Sequence, residues 1–253
     1  MAEFFNSDKD VYIDPLDSID SFIKRSGLDT WPKRLIYLPF QLFGVKKRLE
    51  SAIIRTLPPL YPGTNLYLLQ GELLYCEGLI GAPATVILLE ELMALGVDEI
   101  IFIGIAGSMQ PDITIGERLL VTEAVRLEGT SYHYLSPDKL ATPSSRMLED
   151  LESFLNAHEV QFHAGKICSI DAPFRESYSL INQFRSEGIL AIEMEIAAVY
   201  SVCQFRKVEA IALLVISDQL LAEKWTGIER KTFSDQLIST ANLMYGFFTG
   251  SSF

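Results

Sequence analysis

The chain predicts an α/β fold with an at least partly parallel sheet, on three observations. Residues 73–107 run strand, helix, strand, with an apolar run at 73–76, an amphipathic stretch at 84–95 and a second apolar run at 99–107. Residues 191–218 repeat the theme: a helical pattern opens on Glu193, Met194 and Glu195, and a nearly unbroken apolar run at 211–216 ends in Ser217 and Asp218. The chain of 253 residues, 49% of them hydrophobic, has the length and apolar content for one large core.

Taken in order, residues 1–34 read as an N-terminal extension punctuated by Asp14-Pro15 and Trp31-Pro32, and residues 35–253 as the domain. Residues 35–40 form the first strand. The helix at 84–95 follows Gly81, Ala82 and Pro83; it is expected to bury Ile87, Leu88, Leu92 and Leu95, to expose Glu90 and Glu91, and to stop at Gly96. The strand at 99–107 runs into a glycine turn, where Gly104 and Gly107 let backbone approach a partner closely. These glycines do not make the GxGxxG pattern, so a dinucleotide site is not expected. A strand at 116–126 leads to a polar loop, Gly129 to Tyr134, whose hydroxyls and His133 are candidates to line a pocket. Thr142 and Pro143 cap a helix that buries Leu148, Leu151, Phe154 and Leu155. His158 and His163 flank its exit without cysteines or acids at ligand spacing, so both are read as structural and no metal is expected. A strand at 162–170 ends in DAPFRE (171–176), and a helix through Tyr178, Ile181 and Phe184 leads to the segment at 191–218. A polar linker at 225–231 precedes a last amphipathic helix carrying Leu237, Ile238 and Leu243. The acidic groups Glu195 and Asp218 stand at the two ends of one helix-strand unit, and Asp218 sits at the carboxyl end of a buried strand, where open α/β sheets place ligands.

Composition narrows the partners. A net charge of -12 speaks against nucleic acid and anionic membranes, which need a basic face. Cys76, Cys168 and Cys203 lie far apart and suggest neither disulfides nor a zinc site. With no basic-apolar leader and no long apolar run, a soluble cytoplasmic protein is expected.

The segments LIGAPAT (79–85), IGIAG (103–107), IGE (115–117), VRLEGT (125–130) and IEME (192–195) occur in an order that resembles the nucleoside phosphorylase family. That family contains uridine phosphorylase, the hexameric type of purine nucleoside phosphorylase and the methylthioadenosine/S-adenosylhomocysteine nucleosidases. The separation of Glu195 and Asp218 resembles the nucleosidase branch, Ser217-Asp218 the purine-type strand end, and DAPFRE a bacterial and archaeal subgroup. The resemblance implies a three-layer α/β/α fold with a mixed, partly closed central sheet, no cofactor, inorganic phosphate as possible co-substrate, and a homo-oligomer, dimer or hexamer. It implies cleavage of the N-glycosidic bond of a small-molecule nucleoside, purine favoured. In that chemistry Glu195 holds the ribose hydroxyls and stabilises the cationic sugar, Met194 packs on the sugar, and Asp218 protonates N7 of the departing base. Glu193 supports Glu195 or faces away; Phe174 and Arg175 match the region that stacks on and reads the base, and Ala106 and Gly107 the backbone that approaches it.

The departures concern the nucleophile. Where phosphorolytic members carry a Gly-Asp-Pro-Arg cluster and, around the glycine turn, an Arg and a Thr or Ser, this chain has 38–43 LPFQLF, Phe102 and Ile105. Nor are the glutamate and arginine that hold water in the nucleosidases recognisable. Arg126, Arg175, or Arg55 from a neighbouring subunit are candidates for a different anion site. Three readings stay open: a phosphorylase-type pentosyltransferase, a hydrolase of the same fold, and a nucleoside-binding module without turnover.

Overall fold

The computed structural model describes residues 12–221, 224–227 and 230–251. The first eleven residues of the predicted extension lie outside them. The elements follow in the order α1 Pro15–Ser18, α2 Asp20–Ser26, β1 Arg34–Leu38, α3 Phe43–Leu49, β2 Ile53–Leu57, β3 Asn65–Leu69, β4 Leu73–Glu77 and α4 Ala82–Ala94. Then come β5 Glu99–Ser108, β6 Arg118–Leu127, α5 Ser145–Ala157, β7 His163–Ile170, α6 Tyr178–Ser186, β8 Ala191–Glu193, α7 Ile196–Arg206, β9 Glu209–Leu221, β10 Lys224–Thr226 and α8 Arg230–Thr249.

The sheet is mixed, in the order β10-β9-β6-β7-β8-β5-β1-β4-β3-β2, and β9 also pairs with β5. That extra pairing closes β5, β8, β7, β6 and β9 into a ring, while β1, β4, β3 and β2 continue as an open wing. β4, β1, β5 and β9 are parallel, and α4 makes the crossover from β4 to β5. The period-2 alternation of a strand buried on both faces builds the layers. Ile100, Phe102, Ala212, Leu214 and Ile216 point into a core shared with α4 and α7. Ile101, Ile103, Ile211, Leu213 and Val215 point to the opposite face, against α5 and α8. The expected three-layer α/β fold with a mixed, partly closed sheet is thus observed.

Helix α7 is apolar all round, with every residue from Ile196 to Cys203 buried, because it is covered by the sheet on one side and α4 on the other. On α4 the expected faces are shifted. Ile87 is 52% exposed and Glu91 is buried, since α1 covers the Glu91 side. There Glu91 Oε1 accepts from Tyr61 Oη at 2.6 Å and from Ser18 Oγ at 3.0 Å. The start of the predicted linker instead forms β10, paired antiparallel with the end of β9. Residues 228 and 229 of that linker lie outside the described residues. No described helix is long and apolar enough to cross a membrane.

Candidate functional site at the carboxyl ends of the parallel strands

β5 and β9 run side by side from Glu99 and Glu209, pairing Ala106 with Ile216; the register then slips, so that Gly107 faces Asp218 and Ser217 is the extra residue. A bulge of this kind bends a strand and redirects the next side chain. Here it sets Asp218 against the cavity near the carboxyl ends of the two strands. Ser217 Oγ donates to Asp218 Oδ1 at 2.6 Å and Trp225 Nε1 donates to Oδ2 at 2.8 Å, so each carboxylate oxygen accepts a hydrogen bond. Glycine at 107 leaves room for this arrangement. A Cβ there would lie 3.2 Å from Asp218 Oδ2 and 2.4 Å from Leu220 Cδ1.

The second acidic position comes from the turn between β8 and α7. Glu193, last residue of β8, folds over the helix start: its oxygens accept from the backbone N–H of Glu195 at 2.6 Å and of Ile196 at 3.0 Å, and from Ser169 Oγ. Ser169 Oγ in turn accepts from Ala197 N at 2.8 Å. Glu193 therefore caps the amino end of α7, where the orphan N–H groups and the helix dipole favour an anion. This network fixes the backbone of Glu195, which is buried. Glu195 Oε1 accepts from Gly81 N at 2.6 Å. Gly81 has φ 102, a left-handed conformation that an L side chain adopts only with strain. Burial raises the pKa of both glutamates, and the charge of Glu195 adds to the rise at Glu193.

Both acidic positions open onto one cavity of about 630 Å³. Asp218, Glu195, Glu193, Met194, Ala106, Gly107 and Phe174 all line it. Glu176 lines it too, although the sequence reading named it only within its motif. Its carboxyl pKa is pushed up to about 7 by burial and by the charge of Asp218. Trp225, placed by the β9–β10 pairing, is a further wall residue missed from the sequence.

His133 and Arg175 are exposed and stand outside the cavity lining, at the ends of short 3-10 turns. Arg126 also stands apart, because its guanidinium is consumed locally. It donates to Ser131 Oγ and to the carbonyls of Leu135, Ser136 and Lys139, and lies over the Tyr132 ring. Thus no Lys, Arg or His among the described residues of the chain lines the cavity. The side expected to hold the nucleophile is apolar, formed by Pro39, Phe40 and Ile105, while Phe102 is buried against Tyr37. His163 pairs with Glu117 at 3.4 Å. Among the described residues no group of three or more His, Cys, Asp or Glu is placed to hold a metal ion.

Known proteins share sequence and fold with this chain. A guanosine phosphorylase of Halorubrum lacusprofundi is 31% identical over 169 residues, covering 67% of each chain. A uridine phosphorylase of Thermococcus kodakarensis is 34% identical over 138 residues, 48% of this chain and 49% of the relative, so the match spans about half of that protein's length. In fold, the crystal structure of a uridine phosphorylase from Vibrio fischeri superposes with a TM-score of 0.75 at 23% identity, covering 87% of this chain and 93% of that one. The family model of the Phosphorylase superfamily matches residues 59–244, which contain every residue of the acidic cluster, and the chain belongs to that family.

Proposed function

We propose that the chain is a pentosyltransferase of the nucleoside phosphorylase type, cleaving the N-glycosidic bond of a nucleoside, purine favoured, to free base and pentose 1-phosphate. The observation that carries this reading is the convergence of Glu195 and Asp218 on one cavity with Met194 between the acidic side chains of its turn. Cleavage of the C1′–N9 bond sends the electron pair to the base and leaves positive charge on the sugar. Glu195 meets the sugar side: its carboxylate accepts from the ribose hydroxyls and opposes the developing cation. Met194 gives that sugar an apolar, adaptable wall. Asp218 serves the base side, giving N7 a proton as the bond breaks. Phosphate oxygen then bonds to C1′ and its proton passes to solvent. Phe174, whose ring is fully exposed at the mouth, is available to stack on the base. No cofactor is required by this chemistry, and phosphate enters as co-substrate.

A second reading is favoured by the wall itself. A dianionic phosphate buried beside Pro39, Phe40 and Ile105 without a cation from this chain pays a desolvation cost of several kcal/mol. Water entering the same space makes the enzyme a phosphate-independent nucleosidase. The apolar side chains Ile80, Phe174 and Trp225 exposed at the mouth support assembly as a homo-oligomer, dimer or hexamer, which light scattering on the purified protein tests. The three free, buried cysteines support a cytoplasmic location. The deciding experiment separates products from a panel of purine and pyrimidine nucleosides with and without phosphate. Base release that requires phosphate and yields pentose 1-phosphate supports the transferase. Equal release of base and free pentose without phosphate makes the protein a hydrolase, and no release despite nucleoside binding removes both readings.

A further inference from the structure

Glycosidic cleavage by this route needs a proton at the departing base in every turnover. Asp218 accepts at both oxygens, from Ser217 Oγ and Trp225 Nε1, so both positions from which it would hand a proton to a base already face a donor. No Lys, Arg or His among the described residues lines the cavity to resupply it. A second carboxyl does. Glu176 lines the same cavity, is half-buried, and accepts no hydrogen bond from any described residue.

We propose that Glu176 is the positioning residue that stores the proton Asp218 passes to the leaving base, and that returns Asp218 to its acid form for each turnover. The proposal rests on the glycosidic reading and deepens it. Asp218 from β9 lines the cavity with Glu176 and its charge acts on Glu176, and the charge of Glu176 acts in turn on buried Cys168 of β7. Glu193 and Glu195 on the β8–α7 turn line the same cavity, and its neighbour Arg175 is outside the lining. Among the described residues the charged groups lining this cavity are all acidic, and burial and the Asp218 charge favour a proton on Glu176. Glu176 holds it at about 7, because burial and the Asp218 charge oppose its ionisation. By contrast both oxygens of Asp218 accept hydrogen bonds, from Ser217 Oγ and Trp225 Nε1. When a nucleoside enters, its base takes the place of the indole N–H beside Oδ2. The proton then moves from the Glu176 carboxyl to Asp218 and from Asp218 to N7. Glu176 is left as a carboxylate and regains a proton from solvent, balancing the one released by phosphate.

The test compares the wild type with Glu176→Gln and Glu176→Asp. With guanosine and phosphate, wild-type kcat is expected to fall as pH rises through about 7. Glu176→Gln is expected to lose roughly 10- to 100-fold in kcat at pH 6, to lose that limb, and to keep KM within about threefold. Glu176→Asp restores part of the rate and the limb. N7-methylguanosine leaves without needing a proton at N7, and both proteins are expected to cleave it at similar rates at pH 6. A Glu176→Gln variant that keeps the guanosine rate and limb overturns the proposal, as does one that loses both nucleosides equally. Independent of turnover, 13C NMR of the labelled Glu176 carboxyl is expected to titrate near pH 7 and at lower pH in Asp218→Asn. Titration near pH 4 in the wild type overturns the proposal even where a variant fails to fold. A wild type that cleaves no nucleoside overturns the glycosidic reading itself, a different result from any of these.

Discussion

Replacing Gly107 by alanine tests the geometry on which the acid depends. The new methyl would sit 2.4 Å from Leu220 Cδ1, against the 3.5–4.0 Å at which carbon atoms rest, so the leucine end must move by more than about 1 Å. It would also sit 3.2 Å from Asp218 Oδ2, tight enough to push the carboxylate by a few tenths of an ångström. Leu220 ends in a flexible group beside open cavity, so the stability cost is expected near the low end of overpacking, about 1 kcal/mol. The kinetic cost is larger. A misplacement of about 1 Å costs on the order of 100-fold, and the smaller shift here predicts a kcat loss of roughly 10- to 30-fold with a modest rise in KM. Steady-state kinetics with a purine nucleoside in saturating phosphate measure the kinetic cost and urea unfolding the stability cost. Adding Leu220→Ala removes the 2.4 Å contact but keeps the 3.2 Å one. The double variant should therefore recover stability and only part of the rate, with a coupling of about 1 kcal/mol between the two positions. Retention of kcat within twofold in Gly107→Ala would refute the placement of Asp218 as the acid facing the base.

Two further outcomes are expected. Glu195→Gln keeps an oxygen for the Gly81 N–H but removes the charge that opposes the sugar cation, so kcat should fall by roughly 100-fold or more with little loss of stability; an unchanged kcat would remove Glu195 from the sugar side. Glu176 is raised to about 7 and Glu193 is also raised, so the folded chain binds more protons than the unfolded one from about pH 4.5 upward, and the stability tied to these protons declines as pH rises until the folded pKa values are passed. Urea midpoints at pH 6 and pH 8 should show a smaller decline in Glu176→Gln than in the wild type, and parallel declines would contradict the shift at Glu176.

Much of the fold and of the candidate site was legible because their signals are local. The buried strands at 99–107 and 211–216 announce themselves by unbroken apolar runs, and their carboxyl ends mark where Ala106, Gly107 and Asp218 lie. Glu195, Met194 and Phe174 came with short motifs whose order along the chain carries the resemblance. What was missed depends on long-range packing. β8 is a three-residue strand set by pairing with β5 and β7, and no periodicity shows in three residues. The β2–β3 hairpin is short and separated by a stretch containing Pro58, Pro59 and Pro62, which reads as loop. Glu91 looked solvent-exposed because helical spacing cannot reveal that α1 folds back over that face of α4. Trp225 fell in what read as a linker, and only the extension of β9 past Asp218 brings the indole to the carboxylate. Arg126 and Arg175 were attractive as anion ligands by residue type. Yet Arg126 spends its donors on the 131–139 loop, and Arg175 is exposed at the end of its turn. Glu176 lay inside a recognised motif, but its raised pKa comes from burial and from the charge of Asp218, a residue distant in sequence.

The most direct test of the central claim is Asp218→Asn, measured by single-turnover base release from a purine nucleoside with binding followed in parallel. The account predicts a loss of about 100-fold or more in the cleavage rate, with nucleoside affinity within a few-fold of the wild type. Cleavage at the wild-type rate would contradict it.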